Sequence, residues 1–301
     1  MHPKNTPLNL GAIDIGSNAV RLLVAQAIPY KNETVDFTKL SLLRLPLRLG
    51  LDVFESGFIS KEKVELLEKS MESFRLIMEI YGVTHFRACA TSAMRDAGNS
   101  PEIVQSIFKK TGINIEVISG REEAEIIYET HLRQSGAQNG STLYIDVGGG
   151  STELTLYSFG EKVLQESFDI GTIRLMSGKV KEEIWDEIKR SVKVAVKDHK
   201  PLKVVGSGGN INKLFALSKQ KEGQPISLSQ LETFLRDLGS MTMEERMHTY
   251  QLRQERAEVI VPALQIYTSI LRWAGAREIS VPKIGLADGL VRNIYYNRNL
   301  F

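Results

Sequence analysis

The sequence predicts an α/β protein built from two domains of one topology. Strand-like and helix-like segments alternate along its 301 residues, which is typical of α/β folds. A pattern of strand, Asp-(Ile/Val)-Gly turn and strand occurs at Asp14 and again at Asp146. Because both the pattern and its flanking strands recur, it indicates an internal duplication. We therefore expect two domains, each opening with a hairpin whose turn carries an aspartate and glycine.

The first copy begins with two apolar runs, residues 8–15 and 19–28, on either side of the Asp14 turn, followed by an extended segment over 34–49. Val64, Leu67, Met71 and Phe74 recur at helical spacing, which predicts a helix over 61–81 that stops at Gly82. The remaining segments are a strand over 85–91, a helix over 101–110 and a strand over 113–118.

The second copy begins near residue 120 with a helix predicted over 121–134. Strands over 142–145 and 154–159 enclose the Asp146 turn, and a further strand covers 202–206. The rest is mainly helical, with helices predicted over 182–199, 227–239, 242–250, 255–274 and 286–297.

Composition excludes several classes of protein. With 42% apolar and 25% charged residues the chain is ordinary globular material that can bury a core. Its net charge of +2 predicts no nucleic-acid partner. No run approaches the ~18 apolar residues of a membrane span, and residues 1–7 lack a secretory signal, so we expect a cytoplasmic protein with no membrane contact. The single Cys89 excludes a disulfide framework and a cysteine zinc site.

The strongest candidate for a ligand site follows the predicted strand 142–145. It reads Asp146-Val147-Gly148-Gly149-Gly150-Ser151-Thr152-Glu153. Consecutive glycines let a turn approach a bulky anion without Cβ atoms in the way. Successive backbone N–H groups then form a concavity that binds anions, and the serine and threonine hydroxyls add donors. A plain hairpin needs fewer glycines, so we interpret this segment as a phosphate loop.

The corresponding segment of the first copy is Asp14-Ile15-Gly16-Ser17-Asn18. Alone it is no more than a turn sequence. Paired with the Asp146–Glu153 loop, it suggests two facing loops that hold successive phosphates. A carboxylate is a poor direct partner for phosphate but a good one for Mg²⁺, which binds through one or two carboxylates, waters and substrate phosphates. We therefore assign Asp14 and Asp146 to a hydrated Mg²⁺.

Glu123 is the candidate general base. In Ser119-Gly120-Arg121-Glu122-Glu123-Ala124, the spacing of Ser119 and Glu122 fits a capping box at the helix start. Glu123 is not used by that motif, so it can border a cleft and orient a water molecule. The alternative is that Glu123 simply favours the helix dipole.

Two other positions are candidate phosphate contacts. Arg95 follows the predicted strand 85–91, where a guanidinium can clamp a phosphate or remain a solvated loop charge. Gly208 lies in Gly206-Ser207-Gly208-Gly209-Asn210, which leads into a helix. The N-terminus of such a helix is compatible with phosphate binding.

Taken together, these segments resemble the exopolyphosphatase and guanosine pentaphosphate phosphohydrolase family. The motifs that carry the resemblance occur in the family's order at residues 14–18, 91–95, 118–124, 145–153 and 286–290. The resemblance implies an actin-like ATPase fold with two ribonuclease-H-like domains around a central cleft. Residues 1–124 with a C-terminal helix of about 286–301 would form the first domain, and residues 125–285 the second.

The resemblance also implies removal of the terminal phosphate of inorganic polyphosphate or guanosine pentaphosphate, with Mg²⁺. Glu123 matches the glutamate that activates the attacking water, and Asn18 and Arg95 match groups that contact phosphate. The phosphate and metal loop is matched by Asp146, Gly148, Gly149, Ser151 and Glu153, so Glu153 joins the expected metal ligands. Ser17, Gly150 and Thr152 lie in the same two loops and complete the expected phosphate site.

Several alternatives stay open at this point. Longer family members continue into a helical HD-type domain, whereas this sequence has 301 residues, so we expect the short two-domain form. The preferred polyphosphate length and the formation of a homodimer are left open. An actin-fold kinase would use similar loops but needs an acceptor pocket and a catalytic aspartate. A non-hydrolytic sensor of either phosphate compound would not need Glu123 beside Asp146 and Glu153, so these residues favour hydrolysis.

Overall fold

A computed structural model describes residues 6–30, 34–135, 140–282 and 284–297, with no side chains described at 131–135. The chain divides into two compact units: unit 1 comprises Met1–Ser119 and Leu286–Phe301, and unit 2 comprises Gly120–Gly285. Residues 1–5 and 298–301 of the expected first domain lie outside the described residues. The expected boundary followed Ala124, whereas residues 120–124, with Glu123 among them, fall in unit 2.

The helices and strands follow one another in a repeated order. Up to residue 119 they are β1 (Leu8–Ile15), β2 (Val20–Pro29), β3 (Val35–Leu45), α1 (Leu49–Ser56), α2 (Lys61–Ile80), β4 (His85–Ala90), α3 (Ser92–Asp96), α4 (Ser100–Thr111) and β5 (Ile115–Val117). Unit 2 contains α5 (Gly120–Ser135), β6 (Ser141–Val147), β7 (Thr152–Ser158), β8 (Glu161–Phe168), α6 (Thr172–Met176), α7 (Glu182–Val196), β9 (Leu202–Ser207), α8 (Gly209–Ser218), β10 (Ile226–Ser227), α9 (Leu228–Ser240), α10 (Met243–Tyr250), α11 (Gln254–Ala257), α12 (Ile260–Ala274) and β11 (Glu278–Ile279). The last helix, α13 (Leu286–Asn297), belongs to unit 1.

The sheets of the two units share the order of four strands, and the sheet of unit 1 has a fifth. The strand order is β3-β2-β1-β4-β5 in unit 1 and β8-β7-β6-β9 in unit 2. In each, the first three strands are antiparallel and the fourth is parallel to the first. Ser280 bridges to Val205 of β9 in parallel, at the place that β5 takes in unit 1. The predicted fold class, an α/β duplication of the ribonuclease-H-like, actin-like type, is therefore confirmed.

Each sheet is covered by helices that supply its core. In unit 2 the main buried cluster joins inward residues of β6, β7 and β9 to α7, α8, α9 and α12, and its members include Leu143, Leu154, Ile188, Leu214 and Ile270. In unit 1, α13 packs against β1, β2 and β4. Within the residues described, no helix combines the length and the apolar character that crossing a bilayer requires.

The predicted helix over 255–274 is wrong in one respect, because it is broken between α11 and α12. Pro262 has no N–H to donate to the carbonyl of Glu258, and its ring clashes with that carbonyl in a continuous helix. The extended segment predicted over 34–49 also ends early, at Leu45. Arg48 has a φ of 56°, and the chain turns there into α1. Strand β8 was not predicted, because its polar sequence gives little periodic signal and it lies at the sheet edge.

One buried carboxylate makes the stability of unit 1 depend on pH. Glu68 of α2 accepts hydrogen bonds from Lys110 Nζ (2.5 Å) and Ser106 Oγ (2.6 Å) of α4, and these bonds lower its pKa. A carboxyl group whose pKa is lower in the folded protein than in the unfolded chain stabilises the fold at pH values above its unfolded-state pKa. This stabilisation is lost as the pH falls through its folded-state pKa. We expect Glu68→Gln to lower the free energy of unfolding at pH 7 by roughly 1 kcal/mol. Urea titrations at pH 7 and pH 3 test this, and an equal effect at both pH values would contradict it.

Candidate functional site

The two hairpin turns have the same geometry. In unit 1 the amide of Gly16 donates to the carbonyl of Ala19 (3.1 Å), and in unit 2 the amide of Gly148 donates to the carbonyl of Ser151 (3.0 Å). In both cases the strands pair directly on either side of these four residues. The duplication inferred from sequence therefore extends to the individual hydrogen bonds of the turns.

The triple-glycine turn of unit 2 is held by its carbonyl groups. All three accept hydrogen bonds from the segment that begins α6: Gly148 from Thr172 N (3.0 Å), Gly149 from Ile173 N (2.8 Å) and Gly150 from Arg174 Nε (2.9 Å). Gly171 lies directly against this turn, since a Cβ at position 171 would be less than 3.0 Å from Gly149 C and Gly150 N. The turn is thus anchored from one side by its oxygen atoms.

The amides of the turn are left for a ligand. Among the described residues, none accepts a hydrogen bond from the N–H groups of Gly149, Gly150 and Ser151. Successive N–H groups with no protein acceptor are the elements of an anion-binding nest. A phosphate would accept these hydrogen bonds and compensate their partial charges. The structure therefore gives the predicted phosphate loop a physical basis in backbone atoms.

Unit 1 repeats the arrangement with different residues. The carbonyl of Ser17 accepts from Gly50 N (2.9 Å) and that of Asn18 from Arg48 N (3.2 Å), at the start of α1. The amides of Ser17 and Asn18 have no acceptor in the described part of the chain. The side-chain oxygen Oδ1 of Asn18 is buried there without a hydrogen-bond partner, so the side-chain amide of Asn18 is also available to a polar ligand.

The side chains of Ser17 and Arg95 are engaged within unit 1. Ser17 Oγ lies 2.8 Å from Ser92 Oγ and accepts from Ala93 N (3.2 Å), so this hydroxyl ties the turn to α3. The half-buried Arg95, in α3, donates from Nη1 to the carbonyl of Ile118 (2.9 Å). The hydroxyl of Ser17 therefore has a structural task within unit 1.

The two turns differ in the residue that pairs with each aspartate on the neighbouring strand of the hairpin. Asp14 pairs in register with Arg21, and the two side chains form an ion pair of 2.5 Å. Asp146 pairs in register with Glu153, so unit 2 places two carboxylates side by side. Mg²⁺ prefers carboxylate oxygens as ligands, so the two adjacent carboxylates of unit 2 are candidate ligands.

Glu153 is buried and oriented by hydroxyl groups. Its Oε1 accepts hydrogen bonds from Ser151 Oγ (2.6 Å) and Ser167 Oγ (3.0 Å), and the residue is 3% exposed. Thr152 Oγ1 donates to the carbonyl of Ile170 (2.5 Å) and is buried, so this hydroxyl holds the loop together. The sequence did not single out Ser167, which lies on β8.

Glu123 lies in the first turn of α5, and that turn is packed against the same carboxylate. A Cβ at Gly120 would come within 2.5 Å of Ser167 Oγ and 3.2 Å of Glu153 Oε1. Glu123 lies three residues further along and therefore on the same side of the helix. The half-buried Glu123 thus belongs to the carboxylate end of unit 2.

A cluster of tyrosines holds α5 in this position. Tyr128 of α5 stacks face to face on Tyr157 of β7, with 3.3 Å between ring centroids and 6° between ring planes. Tyr144 of β6 meets both rings edge-on. Burial raises the pKa of Tyr157, and the neighbouring Tyr128 and Glu125 add to this, so the ring stays a neutral packing surface.

Gly208 and Asp146 meet at the ends of β9 and β6. Gly208 has a φ of 102°, which favours glycine, and a Cβ there would come within 2.9 Å of Asp146 Oδ1. It directly precedes α8, as the sequence predicts. The absence of a side chain at Gly208 therefore leaves room for the Asp146 carboxylate beside the helix start.

The described residues hold no group of three or more His, Cys, Asp or Glu side chains arranged around a metal position. A hydrated Mg²⁺ does not need one, because it uses one or two carboxylates and completes its shell with water and phosphate. Asp146 and the serine-oriented Glu153 supply hard oxygen atoms of this kind, so the residues of unit 2 fit such an ion.

Comparison with known proteins agrees with the observed fold. The family model described as the Ppx/GppA phosphatase family matches residues 28–297. Exopolyphosphatase 1 of Mycobacterium leprae is 24% identical over 304 residues, which cover 94% of this chain and 88% of that protein. The guanosine-5'-triphosphate,3'-diphosphate pyrophosphatase of Aeromonas hydrophila is 25% identical over 98% of this chain, although the match covers 61% of that protein.

Among solved structures, an exopolyphosphatase from Cytophaga hutchinsonii superposes with a TM-score of 0.82 at 23% identity, over 95% of this chain and 97% of that one. At this identity the superposition shows the fold. The chain spans about half the length of several other curated relatives, since their match covers 48% of each. With the family model matched across most of the sequence, the chain belongs to the Ppx/GppA phosphatase family and is a phosphoanhydride hydrolase.

Proposed function

We propose that this protein removes the terminal phosphate of inorganic polyphosphate. The observation that carries the proposal is the triple-glycine turn, whose carbonyls are bound by residues 172–174 while its amides have no acceptor among the described residues. A terminal phosphate carries enough negative charge to occupy such a nest. The names of the relatives from M. leprae and A. hydrophila support a phosphate-rich substrate.

The residues divide the task between binding and chemistry. The amides of Gly149, Gly150 and Ser151 bind the terminal phosphate, and Asp146 and Glu153 would hold the Mg²⁺. When bound, the ion offsets negative charge that develops on the transferred phosphoryl group. Within unit 1, the amides of Ser17 and Asn18, the Asn18 side chain and the Arg95 guanidinium are groups of the kind that contacts phosphate. In this assignment Asp14 holds Arg21 and is not a metal ligand, in contrast to its role in the sequence-based prediction.

Glu123 performs the proton transfer. Its carboxylate accepts a proton from a water molecule as the water oxygen attacks the terminal phosphorus. The bond between that phosphorus and the bridging oxygen breaks, and the shortened polyphosphate leaves with the electron pair. The products are inorganic phosphate and a chain one phosphate shorter, and the proton passes from Glu123 to solvent or to a phosphate oxygen. The position of the helix start supports this role, because a Cβ at Gly120, three residues before Glu123, would lie 3.2 Å from Glu153 Oε1.

A phosphate-release assay tests the proposal. Short polyphosphate, long polyphosphate, guanosine pentaphosphate and ATP are each supplied with Mg²⁺, and every reaction is repeated with EDTA. We expect release from polyphosphate that requires no acceptor and stops with EDTA. Release only from guanosine pentaphosphate would assign that nucleotide as the substrate. Tight polyphosphate binding without release would contradict hydrolysis and favour a sensor.

A further inference from the structure

Tyr267 is a residue of unit 2 that neither the motifs nor the proposed mechanism uses. It lies on α12 and is the largest of the fully buried side chains among the described residues. Its hydroxyl donates a hydrogen bond to the carbonyl of Ser207, the last residue of β9. A phenylalanine would fill the same core volume, so the presence of a hydroxyl at this depth requires a physical reason.

The hydroxyl lies at the ends of the two strands that carry the site. Asp146 of β6 and Ser207 of β9 are the last paired residues of their parallel ladder. A Cβ on Gly208 would lie 3.7 Å from the Tyr267 hydroxyl oxygen and 2.9 Å from Asp146 Oδ1. The phenol and the Asp146 carboxylate therefore border the same glycine. Beyond this point no ladder bond joins the strands, and the Tyr267 bond holds the end of β9 in its place.

The electrostatic environment agrees with this position. Burial raises the pKa of Tyr267 well above its ordinary value, and the negative charge of Asp146 raises it further. A backbone contact with Val147 opposes the rise, and Glu153 adds to it. Both carboxylates of the expected Mg²⁺ site are thus close enough to act on the phenol. The hydroxyl donates to the Ser207 carbonyl and also lies near the backbone of Val147, which follows Asp146 in the chain.

We propose that Tyr267 is a positioning residue for the Mg²⁺ ligands. Its hydroxyl holds Ser207 and Gly208 at the distance that keeps the Asp146 carboxylate beside Glu153. Groups that orient the ligands of a metal typically change metal affinity by about 10- to 100-fold when they are removed. This inference rests on the proposed function only in its kinetic readout, because Mg²⁺ binding can be measured without substrate.

The test compares Tyr267→Phe with Tyr250→Phe. Tyr250 is a half-buried tyrosine of unit 2 whose ring packs edge-on against Phe234, so the control removes the same atom away from the site. Calorimetric titration with Mg²⁺ alone should show an affinity about tenfold weaker for Tyr267→Phe and unchanged for Tyr250→Phe. In the polyphosphate assay, Tyr267→Phe should need about tenfold more Mg²⁺ for half-maximal rate, with the KM for polyphosphate at saturating Mg²⁺ nearly unchanged.

Unchanged Mg²⁺ affinity and Mg²⁺ requirement in Tyr267→Phe overturn the proposal, even if the melting temperature falls, because a packing role alone would lower only stability. If Tyr267→Phe is too unstable for calorimetry, the rise of its melting temperature with Mg²⁺ concentration, compared with that of the wild type, measures the same affinity. Weaker Mg²⁺ binding supports the inference and unaltered binding overturns it. Failure of the wild-type protein to release phosphate would instead refute the proposed function, which leaves the calorimetric comparison interpretable.

Discussion

Replacing Glu123 with glutamine is expected to lower kcat by about 10²- to 10⁴-fold, the range that a general base contributes. The amide cannot accept the proton of the attacking water, but it has nearly the same size. Glu123 is half-buried in the first turn of α5, which is packed against Ser167 and Glu153, so the backbone should keep its place. The KM for polyphosphate should change little, since the phosphate-binding amides are untouched. Steady-state phosphate release and polyphosphate binding to the inactive variant measure the two effects.

Glu129→Gln is the matched control for this experiment. Glu129 is an exposed residue of the same helix, so its replacement removes one carboxylate from α5 without approaching the carboxylate end of unit 2. Its kcat should equal that of the wild type. A Glu123→Gln variant with near wild-type kcat would show that another group activates the water, and a large rise in KM would show that Glu123 acts in binding.

The second large effect is expected from Gly171→Ala. The added Cβ would be less than 3.0 Å from Gly149 C and Gly150 N, which are backbone atoms that cannot move aside without shifting the turn. Since displacing reacting groups by about 1 Å can cost 10²-fold, kcat/KM for polyphosphate should fall by about 10²-fold. Overpacking should also lower the free energy of unfolding by about 1–3 kcal/mol. Kinetics at several Mg²⁺ concentrations and urea denaturation provide these values.

Gly239→Ala provides the comparison. Gly239 is exposed in α9, with nothing within 4 Å of the place that an added Cβ would take, and alanine is the better helix former. This variant should keep wild-type kinetics and gain up to about 1 kcal/mol in stability. Should Gly171→Ala also keep wild-type kcat/KM, the triple-glycine turn would not be the phosphate-binding element.

The difference between the two hairpins explains why one duplication can serve two tasks. Both turns present amides, but Arg21 neutralises Asp14 whereas Glu153 adds a negative charge beside Asp146. The side chains that lie across the strands from the two aspartates therefore differ in charge. Under the proposed function, the unit 1 turn would bind phosphate beside a basic side chain, and the unit 2 turn would bind phosphate together with Mg²⁺. The two copies can thus keep one backbone design while their side chains differ in function.

Much of the fold was predictable because its signals are local. The strands around Asp14 and Asp146 are apolar runs interrupted by a turn, and Leu67, Met71 and Phe74 mark one face of α2. The candidate loops were visible for the same reason, since their glycines and carboxylates are adjacent in sequence. The edge strand β8 and the short helices α1, α3 and α6 lack such periodicity and were missed.

The sequence by itself determined the α/β class and the duplicated hairpin and singled out the candidate phosphate loop, because each depends on residues that are neighbours in the chain. Only the tertiary structure decided which groups support that loop. Gly171 and Arg174 meet the glycine turn from a later segment of the chain, Ser167 reaches Glu153 from the next strand, and Tyr267 reaches Ser207 from a distant helix. Such partners are chosen by strand register and helix packing, which bring remote residues together and leave no local pattern in the sequence.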